Sequence, residues 1–180
     1  LWPLMHGLES RARFAESDYE QYRAVNRTFA LHARARLLPG EIVWVHDYQL
    51  IPHAEELRAL GWEGSIGYFH HIPIPSRSGW RRIPHADELT RALMSYTHIG
   101  VQTARDAQHL RAILGRNAPT IEVQPVPIDS VRVREMAAAT PSVFNEEEIG
   151  GRTVLFGVDR LDYTKGIPLR LEAWERALER

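Results

Sequence analysis

Short runs rich in β-branched and aromatic residues alternate with helical stretches through most of the chain, and this alternation restricts the fold more than any other feature. "EIVWVHD" reads as a strand, "IPHAEELRALG" as a helix stopped by Gly61, and "SIGYFHH" as the next strand. Beyond a proline-rich loop, "HADELTRALMSY" is helical, "THIGVQT" a strand, "ARDAQHLRAILG" a helix stopped at Gly115, and "IEVQPVPID" an extended segment. Strands joined through helices of this length give βαβ units, a parallel sheet and right-handed crossovers, hence an α/β, doubly wound, Rossmann-like fold. Ahead of them a helix is expected from Ser17 as its N-cap, with an apolar stripe on Tyr22, Val25, Phe29 and Ala33.

The texture changes after Asp129. "SVRVREMAAAT" predicts a short helix and "PSVFNEEEIGGR" a loop. "TVLFGV" then reads as a buried strand leading into "GVDRLDYTKG" and a further helix. The resulting partition is the latter part of one Rossmann-like domain over 1–128, a connector over 129–152, and the first strand–helix unit of a second domain over 153–180. One strand and one helix cannot bury a core, so the second part needs further chain to cover it. The chain opens at Leu1 without methionine and closes in the helical pattern "LRLEAWERALER" with no stop residue, which reads as an internal fragment.

Composition narrows the partners. With 44% hydrophobic and 25% charged residues and a net charge of -1, the chain has no electrostatic call on nucleic acid or an anionic membrane. It has no cysteine, which excludes disulfides and thiolate zinc sites. No apolar run approaches the roughly 20 residues that span a bilayer, and the start lacks the basic and apolar regions of a signal peptide. A cytoplasmic location is the expectation.

In open α/β sheets the ligand crevice lies beyond the carboxyl ends of the strands, which singles out Asp47, His71 and the stretch from Arg160 to Lys165. Lys165 is the only lysine among 22 basic residues. Lysine supplies a compact point charge where arginine supplies a planar fork, so this pair can hold two differently placed phosphate oxygens at a helix start. The structural alternative pairs Arg160 with Asp159 or Asp162. The Walker pattern is absent. An ionised Asp47 suits sugar hydroxyls, since its oxygens accept hydrogen bonds in fixed directions, and Pro73 and Pro75 stiffen the loop that aims His71. His46 and His70 are expected to turn away from their neighbours, because successive strand residues face opposite sides. The rival reading gathers His46, Asp47, His70 and His71 around a metal, but no H-x-x-x-H or H-x-H spacing fixes two of them on one face, so no metal site is expected. Trp2 reads as core or as a sugar-stacking face, and Arg81 and Arg82 as a solvated pair.

Taken in order, "LWPLMH", "YRAVNRTFA", "VWVHDYQLIPHAEELR", "IGYFHHIPIPS", "IGVQT" and "VDRLDYTKGIPLRL" resemble the trehalose-6-phosphate synthase family, retaining glycosyltransferases with two facing Rossmann-like domains. The resemblance implies glucosyl transfer from a nucleotide sugar, UDP-glucose, to glucose 6-phosphate, with no cofactor. Under it Arg160 and Lys165 match the pair that binds the donor diphosphate, and Asp47 the carboxylate that holds the acceptor. Trp2 matches an aromatic of the acceptor site, His71 the histidine against the donor sugar, and Ile72 its neighbour where the two anomeric carbons meet. Residues 1–128 then belong to the acceptor-side domain and 153–180 to the nucleotide-sugar domain. The remaining N- and C-terminal chain is needed to complete the cleft, the isolated fragment is expected to be inactive, and oligomerisation is compatible with the sequence. Met5 and Ile74 stand where the family frequently has Phe, Gly7 where it has Tyr, and His70 where it has another residue. These departures keep open a glucosylglycerol-phosphate synthase-like acceptor, and beside it a catalytically silent sugar-phosphate-binding regulatory module.

Overall fold

Four strands, β1 (Val43–His46), β2 (Ile66–His70), β3 (His98–Val101) and β4 (Thr120–Val123), pair in parallel in the order in which the chain makes them. They belong to a computed structural model that describes residues 1–142, 144 and 146–179. The described chain divides into two units, Leu1–Val126 and Pro127–Arg180. In the first unit α1 (Trp2–Met5) and α2 (Glu16–Arg34) precede the sheet. The β1–β2 crossover is α3 (His53–Ala59), the β2–β3 crossover holds α4 (Arg77–Trp80) and α5 (Ala86–Leu93), and α6 (Ala104–Leu114) joins β3 to β4. A sheet wound in one direction by right-handed crossovers carries its helices on one face. Consistent with this, α3 packs on α5, α5 on α6, and α2 on α3.

Register builds the core. Val45, Tyr68, Ile99 and Ile121 form one row across the four strands, and all four are buried. Ile51, Leu57, Leu89, Leu93 and Leu110 close over them from the helices and the β1–α3 turn. On the other face two glycines let aromatic rings lie flat. A Cβ on Gly67 would stand 2.2 Å from the Trp44 ring, and one on Gly100 2.6 Å from the Phe69 ring.

The expected strands and crossover helices are present. Where α2 begins and which face it buries differ from expectation. The helix begins at Glu16 after Ala15, without a side-chain cap. Its buried positions are Asn26 and Ala30, whereas Val25 and Phe29 are 52% and 54% exposed. Apolar periodicity selected the neighbouring stripe because the true one contains a polar residue. Asn26 is buried with its amide nitrogen donating to the Tyr22 carbonyl at 2.9 Å and the Gln49 carbonyl at 3.0 Å, which offsets the cost of burying that nitrogen, while its Oδ1 has no hydrogen-bond partner among the described residues.

The second unit holds α7 (Ser130–Ala139), α8 (Glu146–Ile149) and α9 (Ile167–Leu178). The expected α7 is present, and α8 adds a single turn inside the stretch read as a loop. The buried strand expected at "TVLFGV" is not formed: residues 153–158 have no ladder partner among the described residues, and Leu155 and Phe156 are 71% and 83% exposed. A strand exists only through its ladder partner, and among the described residues all four strands lie in the first unit. Among the described residues no helix is long and apolar enough to cross a membrane.

Candidate active site

The carboxyl ends of β1 and β2 carry the candidate residues of the first unit. Asp47 leaves β1 at φ 68°, ψ 170°, and among the described residues it is the only non-glycine residue with positive φ. That region is essentially reserved for glycine and costs about 1–3 kcal/mol. The conformation is held by the ladder: the Asp47 N–H donates to the Phe69 carbonyl at 2.8 Å, and the Asp47 carbonyl accepts from Leu50 at 3.1 Å. It turns the side chain toward the end of β2, where Oδ1 accepts the His71 N–H at 3.2 Å.

The two histidines after Phe69 part company as alternation requires. His70 is buried, its Nδ1 hydrogen bonded with the Tyr68 hydroxyl at 2.7 Å and 3.9 Å from Asp47 Oδ1. Burial keeps His70 neutral and pushes its pKa down to about 4, against the pull of the Asp47 carboxylate. In the unfolded chain the ring takes a proton near pH 6.5, so between these values the unfolded state binds more protons and stability falls as pH falls. The melting temperature is therefore expected to drop as pH is lowered from about 6.5 toward 4, and a His70→Gln variant to drop less across the same window. Equal drops in a thermal-denaturation series would assign the acid sensitivity elsewhere.

His71 faces outward. Its ring meets His46 Nδ1 through Nε2 at 2.9 Å, and its carbonyl accepts from Gln102 Nε2 at 3.1 Å. Gln102 is itself oriented by the Val126 N–H, which donates to its Oε1 at 3.0 Å. Ile72 is partly buried against the core. The prolines are joined by a second restraint on this loop: the Ile74 N–H donates to Asp106 Oδ1 at 2.9 Å and the Ile74 carbonyl accepts from His109 Nδ1 at 2.8 Å. Asp106 is buried and locked in turn by a capping box at the start of α6, with Thr103 Oγ1 donating to its Oδ2 at 2.5 Å and accepting from its N–H at 3.1 Å. Trp2, in α1, is partly buried, its ring 3.9 Å from the His6 ring and 6.2 Å from Tyr48, the residue after Asp47. Arg81 and Arg82 are exposed, Arg82 pairing with Glu9.

In the second unit Arg160 and Lys165 are exposed, and their side chains form no hydrogen bond or ion pair among the described residues. The carboxylates expected to neutralise Arg160 are engaged elsewhere. Asp159 pairs with Arg170 at 2.6 Å, and Asp162 Oδ1 accepts the Thr164 N–H at 2.8 Å and hydroxyl at 2.9 Å. Those two donors, with Arg160 and Lys165 nearby, hold the Asp162 carboxyl below its usual pKa. Gly166 then adopts the left-handed conformation at φ 60°, ψ 31° and opens α9, so Lys165 stands immediately before a helix N-terminus.

The first unit thus brings together Asp47, His71 and Ile72, with Trp2 beside Tyr48, and the second sets Arg160 and Lys165 near the same carboxylate, Asp162. His46, Gln102, Asp106 and His109 are contacts that sequence reading did not assign. "TARD" carried a capping signal for Asp106; the other three had none. His46, Asp47, His70 and His71 do not converge on a point: the imidazoles of His46 and His71 pair with each other, and no group of three or more His, Cys, Asp or Glu among the described residues has the arrangement to hold a metal.

Comparison with known proteins gives one result. The model of glycosyltransferase family 20 matches residues 1–180. A trehalose-6-phosphate synthase of Sinorhizobium fredii is 35% identical over 98% of this chain, and the chain spans 42% of that relative's length. Among solved structures, an alpha,alpha-trehalose-phosphate synthase (UDP-forming) from Burkholderia xenovorans in complex with glucose-6-phosphate superposes with a TM-score of 0.90 at 30% identity, covering 99% of this chain and 45% of that one. An E. coli relative bound with UDP-2-fluoro glucose gives a TM-score of 0.89 at 31% identity, covering 99% of this chain and 44% of that one. With a parallel α/β sheet that ends in these residues and a family match along its whole length, the chain belongs to glycosyltransferase family 20.

Proposed function

We propose that the full-length protein transfers the glucosyl group of UDP-glucose to glucose 6-phosphate, giving trehalose 6-phosphate with retention at the anomeric carbon. The observation that carries this reading is the family match over residues 1–180, with relatives solved in complex with glucose 6-phosphate and with a UDP-sugar analogue. On this reading 1–128 belongs to the acceptor-side domain, 129–152 is a connector, and 153–180 begins the nucleotide-sugar domain.

The local chemistry supports the roles. Departure of UDP builds negative charge on the diphosphate, and two cations with no ion-pair partner among the described residues, one of them immediately before the first amides of α9, suit that charge. Asp47 spends one oxygen on the His71 N–H, which leaves the other to accept an acceptor hydroxyl. Trp2 bounds the acceptor side, while His71 and Ile72 face the donor sugar. A double displacement needs two carboxylates flanking the bond. Asp106, the buried carboxylate of α6 that binds the loop after β2, is committed to Ile74 and Thr103. The reaction is therefore assigned to the front face: the C1–O bond to phosphate breaks as the acceptor oxygen bonds C1, and a phosphate oxygen takes the acceptor proton. Asp47 positions the acceptor and does not attack.

The experiment is an acceptor screen of the full-length protein with UDP-glucose, reading released UDP. Release that depends on glucose 6-phosphate is expected. Release with another phosphorylated acceptor in its place would move the reading to that acceptor, and no release with any would favour a silent binding module. The 180-residue chain alone, under half the length of its relatives, is expected to release none.

A further inference from the structure

The β1–β2 register places His46 opposite Phe69, so the next residue on that face of β2, His71, is the diagonal neighbour of His46 across the sheet end. The two rings meet through His46 Nδ1 and His71 Nε2 at 2.9 Å, with centroids 5.1 Å apart and planes 27° from parallel. Phe69 lies beside both, its ring 4.7 Å from His71 and 6.5 Å from His46. The backbone of His71 is meanwhile fixed on both sides, its N–H by the Asp47 carboxylate at 3.2 Å and its carbonyl by the Gln102 amide at 3.1 Å. What remains free is the rotation of an exposed ring, and the His46 bond removes it. Both rings are exposed, where exchanging water for one neutral hydrogen bond adds little to folding.

We propose that His46 is the positioning residue for His71, and that their pairing leaves His71 Nδ1 as the atom that meets the bound hexose. This rests on the reading that His71 lies against the donor sugar. A neutral imidazole has one donor and one acceptor nitrogen, so the direction of the bond at Nε2, set by the tautomer of His46, decides which role His71 presents at Nδ1. His46 touches no substrate in this arrangement; it acts by holding the ring that does.

The test uses the full-length protein. His46→Phe keeps an aromatic ring and loses the bond, and is expected to weaken UDP-glucose binding, measured by calorimetry, by about three- to tenfold, the size of a neutral hydrogen bond. His46→Asn, whose amide nitrogen reaches the place of imidazole Nδ1, is expected to restore most of it. In a His71→Ala background His46→Phe is expected to add nothing, whereas additive losses would make His46 a structural residue and overturn the proposal. At His71 itself, Asn mimics Nδ1 and Gln mimics Nε2, so His71→Asn is expected to bind UDP-glucose more tightly than His71→Gln; the reverse order would overturn the Nδ1 assignment. Imidazole 15N spectra of the ligand-free protein separate this from the donor reading. One fixed His71 tautomer, averaged in His46→Phe, supports the pairing even if UDP-glucose is not the donor, and an averaged tautomer in the wild type refutes it.

Discussion

Lys165→Ala in the full-length protein is expected to lower turnover of UDP-glucose by about a hundredfold to a thousandfold, the usual cost of removing one preorganised donor to a developing anion. Its melting temperature is expected not to move, because the Lys165 side chain is exposed and forms no ion pair or hydrogen bond among the described residues, and Lys165→Ala leaves its backbone bond to Asp162 in place. The pairing of lost turnover with intact folding is what separates a leaving-group role from a structural one. Lys165→Arg is expected not to restore the rate. The planar fork carries its charge differently from a point ammonium, and Arg160, five residues earlier in the same loop, already supplies a fork. Steady-state rates with the donor saturating would check this, and unchanged turnover in Lys165→Ala would remove the residue from the mechanism.

The second large effect is at Asp47, and there stability and activity are expected to move apart. Asp47→Gly loses the carboxylate, whose charge-assisted bonds to sugar hydroxyls are worth about 1.5–3 kcal/mol each, so turnover should fall by about a hundredfold. The same substitution releases a backbone held at φ 68°, ψ 170°, a region glycine enters freely. That gain offsets the lost bond to the His71 N–H, and the variant is expected to melt no lower than the wild type. Asp47→Asn, which keeps the bond to His71 and loses the charge, should melt like the wild type and still turn over slowly. A clear drop in the melting temperature of Asp47→Gly would mean that the strand end is not strained.

Much of the first unit was legible in the sequence. Its strands are short β-rich runs, and its crossover helices end at Gly61 and Gly115, both at positive φ. Strand-end placement of Asp47 and the opposite orientations of His70 and His71 followed from period-two alternation alone. Register did not follow. Nothing in "VWVHD" and "YFHH" states which residue of one lies beside which of the other, and the His46–His71 contact depends wholly on that alignment. Asn26 was hidden because a buried polar residue breaks the apolar stripe that pattern reading looks for. "TVLFGV" misled in the other direction: it has a strand's composition, but pairing is a property of two segments, and the second unit offers it no partner among the described residues.

Both peptide groups of Ile74 are clasped by the first turns of α6, its N–H by Asp106 and its carbonyl by His109. Beyond that clasp the chain runs through α4 and its flanking turns before α5 packs back on the core and leads into β3. Changes of length or sequence around α4 are therefore expected to end at Ile74 without reaching His71 and Ile72. On the proposed reading, the rim that faces the sugar is thereby insulated from drift in its own flanking loop, and innovation around α4 can proceed without retuning the chemistry before residue 74.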